Sequence, residues 1–311
     1  MVRKTAKIIE EQITLLKSQG MTFNNDNYAE KIFSRISYYR LEGYWWDMQI
    51  DTSQHVFGQD ACFKNVVNRY EFDKQLKIIL FKAIESIEIS LRTKMIYNLS
   101  LSYGPLWYLN SNLFDDVVKH SQHSQKLLQD FSYSKEVFAQ DHKQRFSGQD
   151  PEAWKIMEVA SMGLLSKYYK NLKHQLPEKT RIANDFGLTQ RELSSWLEAI
   201  VYVRNIIAHH ARLWSRTMSK RPKRNLRHSN NPWLNNEMFR TSNGKLSAQE
   251  KKLFLIISTM VYLCNRLDDY KLKKEIIKLF KKNKQVPIYK LGFVDGWRKH
   301  PLWRRSFIIF D

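Results

Sequence analysis

The chain has 311 residues, with 51 Lys and Arg against 31 Asp and Glu, a formal net charge of +20. So basic a balance points to a polyanionic partner, most simply nucleic acid. With 10 glycines and 7 prolines, long helices are favoured over a loop-rich β fold. No apolar run reaches the ~18 residues of a membrane span.

The length allows one large domain or two small ones. Met1 to Glu11 lack the apolar centre of a signal peptide, and no terminal helix has the strongly amphipathic Lys/Arg pattern of a membrane anchor. Cys62 and Cys264 are far apart and unpatterned, which suits a reducing cytoplasm and leaves no cysteine zinc site. A cytoplasmic protein without a membrane partner is expected.

In chain order, Ile8, Ile9, Ile13, Leu15 and Leu16 place a first helix over 4–18. Asn24-Asn25-Asp26 caps a second, which holds Ala29, Ile32, Phe33 and Ile36. The aromatic stretch Ile36–Trp46 reads first as core packing. Within it Arg40 and Tyr44 have a second reading, as RNA contacts. Residues 55–63 look irregular or briefly extended. Leu76, Leu80, Ala83, Ile87, Leu91 and Met95 recur at three and four, so 65–101 reads as one long helix. It carries Glu88 and Arg92, an i,i+4 pair that is either a plain salt bridge or, if it faces the region around 204–209, a support for a site there.

Tyr103-Gly104-Pro105 breaks that helix, and the polar stretch 110–150 reads as a helix and a mobile, positively charged connection. His120 and His123 have no further ligand at metal spacing. Asp150 and Pro151 look like the cap and first position of a helix carrying Trp154, Ile156, Met157, Val159, Ala160 and Leu164, apolar enough to lie centrally. Glu158 is the odd carboxylate in it and wants a cation. A short helix spans 178–188, and Thr189-Gln-Arg-Glu192 is a capping box. Ser247 caps a last helix pair, 248–265 and 269–283, before a tail expected to fold back.

The stretch Trp196–Arg216 reads as a two-faced helix. Trp196, Ile200, Val203, Ile207, Ala211 and Trp214 form a core stripe; Tyr202, Asn205, His209, Arg212 and Arg216 fall roughly opposite. That second column suits phosphate better than packing. A basic loop follows over 217–236, with Lys220, Arg221, Lys223, Arg224 and Arg227, either solvated or in contact with RNA.

Arg204-Asn205-x-x-x-His209 resembles the R-x(4–6)-H signature of HEPN domains, many of which are metal-independent ribonucleases. The form R-N-I-I-A-H-H-A-R-L-W, with I-S-Y-Y-R-L-E-G-Y-W at 36–45, E-I-S-L-R-T at 88–93 and W-K-I-M-E-V at 154–159, is similar to the abortive-infection proteins, Abi, of the AbiD/AbiF-like branch. The resemblance implies an all-α fold, a HEPN-like helical bundle over 61–311 behind an N-terminal helical region, 1–60. It also implies phage defence, a homodimer with two motif helices facing each other, and restraint by a partner RNA or an antitoxin. By position in the family pattern, Glu158 would partner Arg204.

The chemistry such a motif supports is cleavage by RNA's own 2′-hydroxyl. A histidine changes charge between pH 5 and 8, so His209 could move the protons. Arg204 could hold the phosphorane charge, and Asn205 could bond His209 or a phosphate oxygen. No cofactor is called for. On an ideal helix Arg204 and His209 lie about 140° apart, which favours a site shared between two protomers. A non-cleaving RNA-binding protein and a DNA-binding regulator are the alternatives.

Overall fold

The computed structural model of the chain describes residues 5–223 and 248–304. Among the described residues, twelve α-helices, short 3-10 turns and one two-stranded hairpin make an all-α protein, as expected. Three short helices come first: α1 (Ile9–Ser18), α2 (Asp26–Phe33) and α3 (Tyr38–Trp45). The antiparallel pair β1 (Gln49–Asp51) and β2 (Val56–Phe57) follows. Asn25 caps α2, its side chain accepting the Tyr28 N–H at 2.9 Å.

The axis of the fold is α4 (Phe63–Tyr103), 41 residues with no Gly or Pro, which at 1.5 Å per residue is about 60 Å long. Gly104, at φ +81°, ends it. Leu76, Leu80, Ala83, Ile87, Leu91 and Met95 are all fully buried along one stripe. Against α4 pack α3, α8 (Met162–Asn171), α9 (Pro177–Asp185), α10 (Gln190–Ala208), α11 (Phe254–Leu267) and α12 (Leu272–Lys282). Buried side chains from Ile13 to Trp303 form one continuous core. Phe254 to Cys264 of α11 are buried on every side, so α11 is the most central short helix. The tail returns to it: Trp303 Nε1 donates to Ser258 Oγ at 3.0 Å, Trp303 stacks on Phe254, and Phe293 and Trp297 meet these rings edge to face. Among the described residues no helix is long and apolar enough to cross a membrane.

Three expectations need correction. The polar stretch 110–150 holds two helices, α5 (Val117–Tyr133) and α6 (Val137–Arg145). Its His120 is buried, with Nε2 donating to the Tyr108 carbonyl at 2.7 Å. The apolar run after Asp150 is not one central helix. It gives α7 (Ala153–Ile156), with Glu152 rather than Asp150 at the N-cap position and no side-chain capping bond, then a 3-10 turn, then α8, whose cap Ser161 accepts from Leu164 N–H. Trp154 is half exposed. The helix from Gln190 stops at Ala208, two turns short of Arg216. Ser247 lies outside the described residues.

Candidate functional site

The start of α10 follows the sequence closely. Thr189 Oγ1 accepts the Glu192 N–H while the Glu192 carboxylate takes the Thr189 N–H at 3.0 Å, a reciprocal cap. Leu193, Trp196, Ile200, Val203 and Ile207 are buried against the core. Arg204 is half-buried and Asn205 exposed in the last turns.

The end of α10 does not follow it. His209 is the cap, His210 N–H bonds Ile207 O at 2.9 Å, and Ala211 N–H bonds Ile206 O at 2.9 Å. These crossed bonds are the Schellman ending, whose turning residue adopts a left-handed conformation and is usually glycine. Here it is His210, at φ +54°.

Three groups from α3 and α4 hold the chain in this turn. Arg40 Nη1 donates to the His210 carbonyl at 2.8 Å, and Lys77 Nζ to that of Ala211 at 3.4 Å. Asp73, with no solvent exposure, takes the Leu213 and Trp214 N–H groups at 3.2 and 2.9 Å and the Tyr44 hydroxyl at 2.8 Å. Lys77 stands 3.5 Å from the same carboxylate. A buried carboxylate needs such donors, and the backbone beyond α10 supplies two of them. Leu213 and Trp214 are therefore buried by a reversal of the chain, not by a helical stripe. Ser215 repeats the left-handed conformation at φ +54°.

Several expected site residues fall into place around this turn, and others move away. Tyr44 is 1% exposed and bonded to Asp73, so it is scaffold and cannot meet an RNA base. Arg212 is not on an outward helix face: its Nη1 donates to Trp214 O at 2.7 Å, its side chain lies over Gly43, and burial lowers its pKa. Arg216 Nε reaches the Tyr202 hydroxyl at 3.4 Å. Glu158 is half exposed in a 3-10 turn and pairs with Arg92 at 3.7 Å, not with Arg204. Arg92 also bonds Glu88 at 3.0 Å and the Ala160 carbonyl at 3.0 Å. Glu88 and Arg92 do face α10, since both line a hollow of about 290 Å³ with Arg204. Burial lifts the Glu88 carboxyl above its ordinary value, against the pull of Arg92 and then Arg204.

A larger groove of about 800 Å³ opens between α4, the end of α10 and Arg40. Among its described lining residues, Arg40, Lys74, Lys77, Lys82 and Arg204 outnumber a lone acid, Glu85. Ile78 and Phe81 stand about half exposed beside these cations. His210 lines this groove and His209 does not. Of the basic loop, Lys220, Arg221 and Lys223 are exposed; the Lys223 backbone is tied to α10 through Ser195 Oγ at 2.7 Å and Trp196 Nε1 at 3.0 Å. Arg221 reaches Glu250 at 3.6 Å. Arg224, Arg227 and the rest of the loop to 236 lie outside the described residues. Among the described residues no group of three or more His, Cys, Asp or Glu is placed to hold a metal ion.

The groove cations of α4 (Lys74, Lys77 and Lys82), the ring of Phe81 and the turning histidine His210 are not singled out by sequence analysis. Asp73 had a signal: it sits three residues before Leu76 on the core stripe of α4, a carboxylate among apolar positions.

No curated protein and no solved structure matches the chain. A family model described as Abi-like protein matches residues 31–215, more than half of the chain and the whole path from α3 through the clamped turn. The chain belongs to the Abi-like family.

Proposed function

We propose that this Abi-like protein serves phage defence by abortive infection, as a HEPN-type endoribonuclease acting at the end of α10. The observation that carries this reading is the meeting of Arg204 with a histidine-bearing turn at a cation-lined groove. Cations gather polyanions, and a guanidinium fork matches the equatorial oxygens of a phosphorane. RNA brings its own nucleophile in the 2′-hydroxyl, so the protein has to supply charge stabilisation and proton transfer. Arg204 does the first, His209 takes part in the second, and exposed Asn205 orients the phosphate or the imidazole. Glu88 and Arg92, beside Arg204, set the direction of its guanidinium. Two copies pairing through the α10 ends would bring the Arg204 of one to the His209 of the other.

The test is incubation of the purified protein with labelled RNA and DNA of one sequence, in EDTA. Cleavage of RNA alone, leaving a 2′,3′-cyclic phosphate and lost in His209→Ala, is the expected result. Tight binding of RNA that stays uncut would favour a non-cleaving RNA-binding protein instead, since the same cations and exposed apolar groups would serve both.

A further inference from the structure

Cleavage through the 2′-hydroxyl needs two proton transfers, and the turn after Arg204 presents two histidines. We propose that His210 is a second catalytic histidine, meeting the RNA phosphate in the groove it shares with Arg204. The proposal rests on the nuclease reading and adds a residue to it.

Three observations converge. His210 lines the groove with Arg204, Arg40 and Lys77. It occupies the left-handed position of a Schellman ending, where glycine is free of strain and a β-carbon is not. A strained residue persists where its surroundings over-determine it, and such positions gather at active sites. Here the surroundings are identifiable: Arg40 holds the His210 carbonyl, Lys77 the next one, and Asp73 the two N–H groups beyond. The side chain itself is exposed, so packing does not explain why an imidazole stands there.

The step balances with the two imidazoles in opposite protonation states. The 2′-oxygen forms its bond to phosphorus as its proton passes to the neutral ring. The bond from phosphorus to the 5′-oxygen breaks as the protonated ring donates to that oxygen. The products are a 2′,3′-cyclic phosphate and a free 5′-hydroxyl, and the two rings have exchanged roles. His209, near φ −89° and ψ 13°, and His210, at φ +54°, have opposite backbone hands; with two copies paired as proposed above, a phosphate held by Arg204 and His210 of one chain would meet the His209 of the other.

The experiment uses three variants of the full chain. His210→Asn tolerates the left-handed turn but cannot transfer protons at neutral pH. His210→Gly fits the turn best and leaves room for exogenous imidazole. His209→Ala gives the comparison. The expected result is a loss of RNA cleavage by a hundredfold or more in His210→Asn, with an unchanged melting temperature. Imidazole should restore part of the activity of His210→Gly, and the bell-shaped pH profile of the wild type should lose one limb. If His210→Asn cleaves within tenfold of wild type, His210 is no catalyst while the nuclease reading stands. If His210→Gly keeps only a residual rate, which imidazole does not raise and which is still bell-shaped in pH, the role is structural and the proposal falls. A wild type that cleaves no RNA overturns both readings together.

Discussion

At the scale of single residues, a carboxylate removed from water has to find donors, and Asp73 finds Tyr44, Leu213, Trp214 and Lys77. Asp73→Ala leaves buried N–H groups and a half-buried lysine without it. Unfolding by urea should show a loss of about 3–5 kcal/mol, whereas Tyr44→Phe, which deletes one neutral donor, should lose about 1 kcal/mol. An Asp73→Ala protein as stable as wild type would mean that the turn holds itself. Glu88 gives a pH prediction. Its folded carboxyl titrates above the ordinary value because it is buried. Between those two values the folded chain keeps a proton that the unfolded chain has lost, so stability falls as pH rises through that window. Glu88→Gln cannot titrate. Its unfolding free energy should be flatter than the wild type's from about pH 4.5 upward, measured by denaturation at a series of pH values.

At the scale of elements, two cationic segments are candidates to hold the proposed RNA: the exposed face of α4 and the loop that follows Arg216. The α4 lysines stand on a rigid helix beside Arg204, and Phe81 offers them a half-exposed ring on which a base can stack. The loop is tethered at Lys223, and each segment has one cation beside an acid, Arg221 by Glu250 and Lys74 by Glu71, both at 3.6 Å. Lys74→Gln with Lys82→Gln should therefore weaken binding to an RNA oligonucleotide and lower the log–log salt slope by about 1.4, two contacts at roughly 0.7 each for a single strand. Lys220→Gln with Lys223→Gln should change the slope less. The reverse order in a salt titration would put the RNA on the loop. Helix α10 is only half legible: the Thr189 cap and the stripe from Trp196 to Ile207 stand in the sequence, but the apolar spacing runs on through Ala211 and Trp214 and hides the stop. No glycine or proline marks the stop in the sequence, and the side chains that hold the turned chain belong to α3 and α4.

At the scale of the whole molecule, one core runs from the first helices to the tail, and Trp196 sits within it with no exposure. Trp196→Ala should lower stability by about 3–5 kcal/mol in a thermal melt, and its effect on RNA cleavage should follow from unfolding alone. The proposed pairing of two chains belongs to this scale as well. Mixing Arg204→Ala with His209→Ala protein should recover part of the cleavage that each lacks, because some mixed dimers would hold one intact pair. A protein that stays monomeric by light scattering at micromolar concentration would rule the shared site out.

The sequence by itself determined the all-α class, the long α4, the capped start of α10 and the cationic character, because these follow from periodicity, capping residues and charge, all written locally. The family motifs likewise stand in the chain as letters. Only the tertiary structure decided which of those letters face one another. Asp73, 140 residues before Leu213, turns the end of α10 back on itself. That turn buries Trp214, makes Tyr44 scaffold and ties Arg212 to the Trp214 carbonyl, while Glu158 pairs with Arg92 elsewhere on α4. It also sets His210, rather than His209, in the groove with Arg204. A buried charge chooses its partners by distance in space, and spacing along the chain carries no record of that choice.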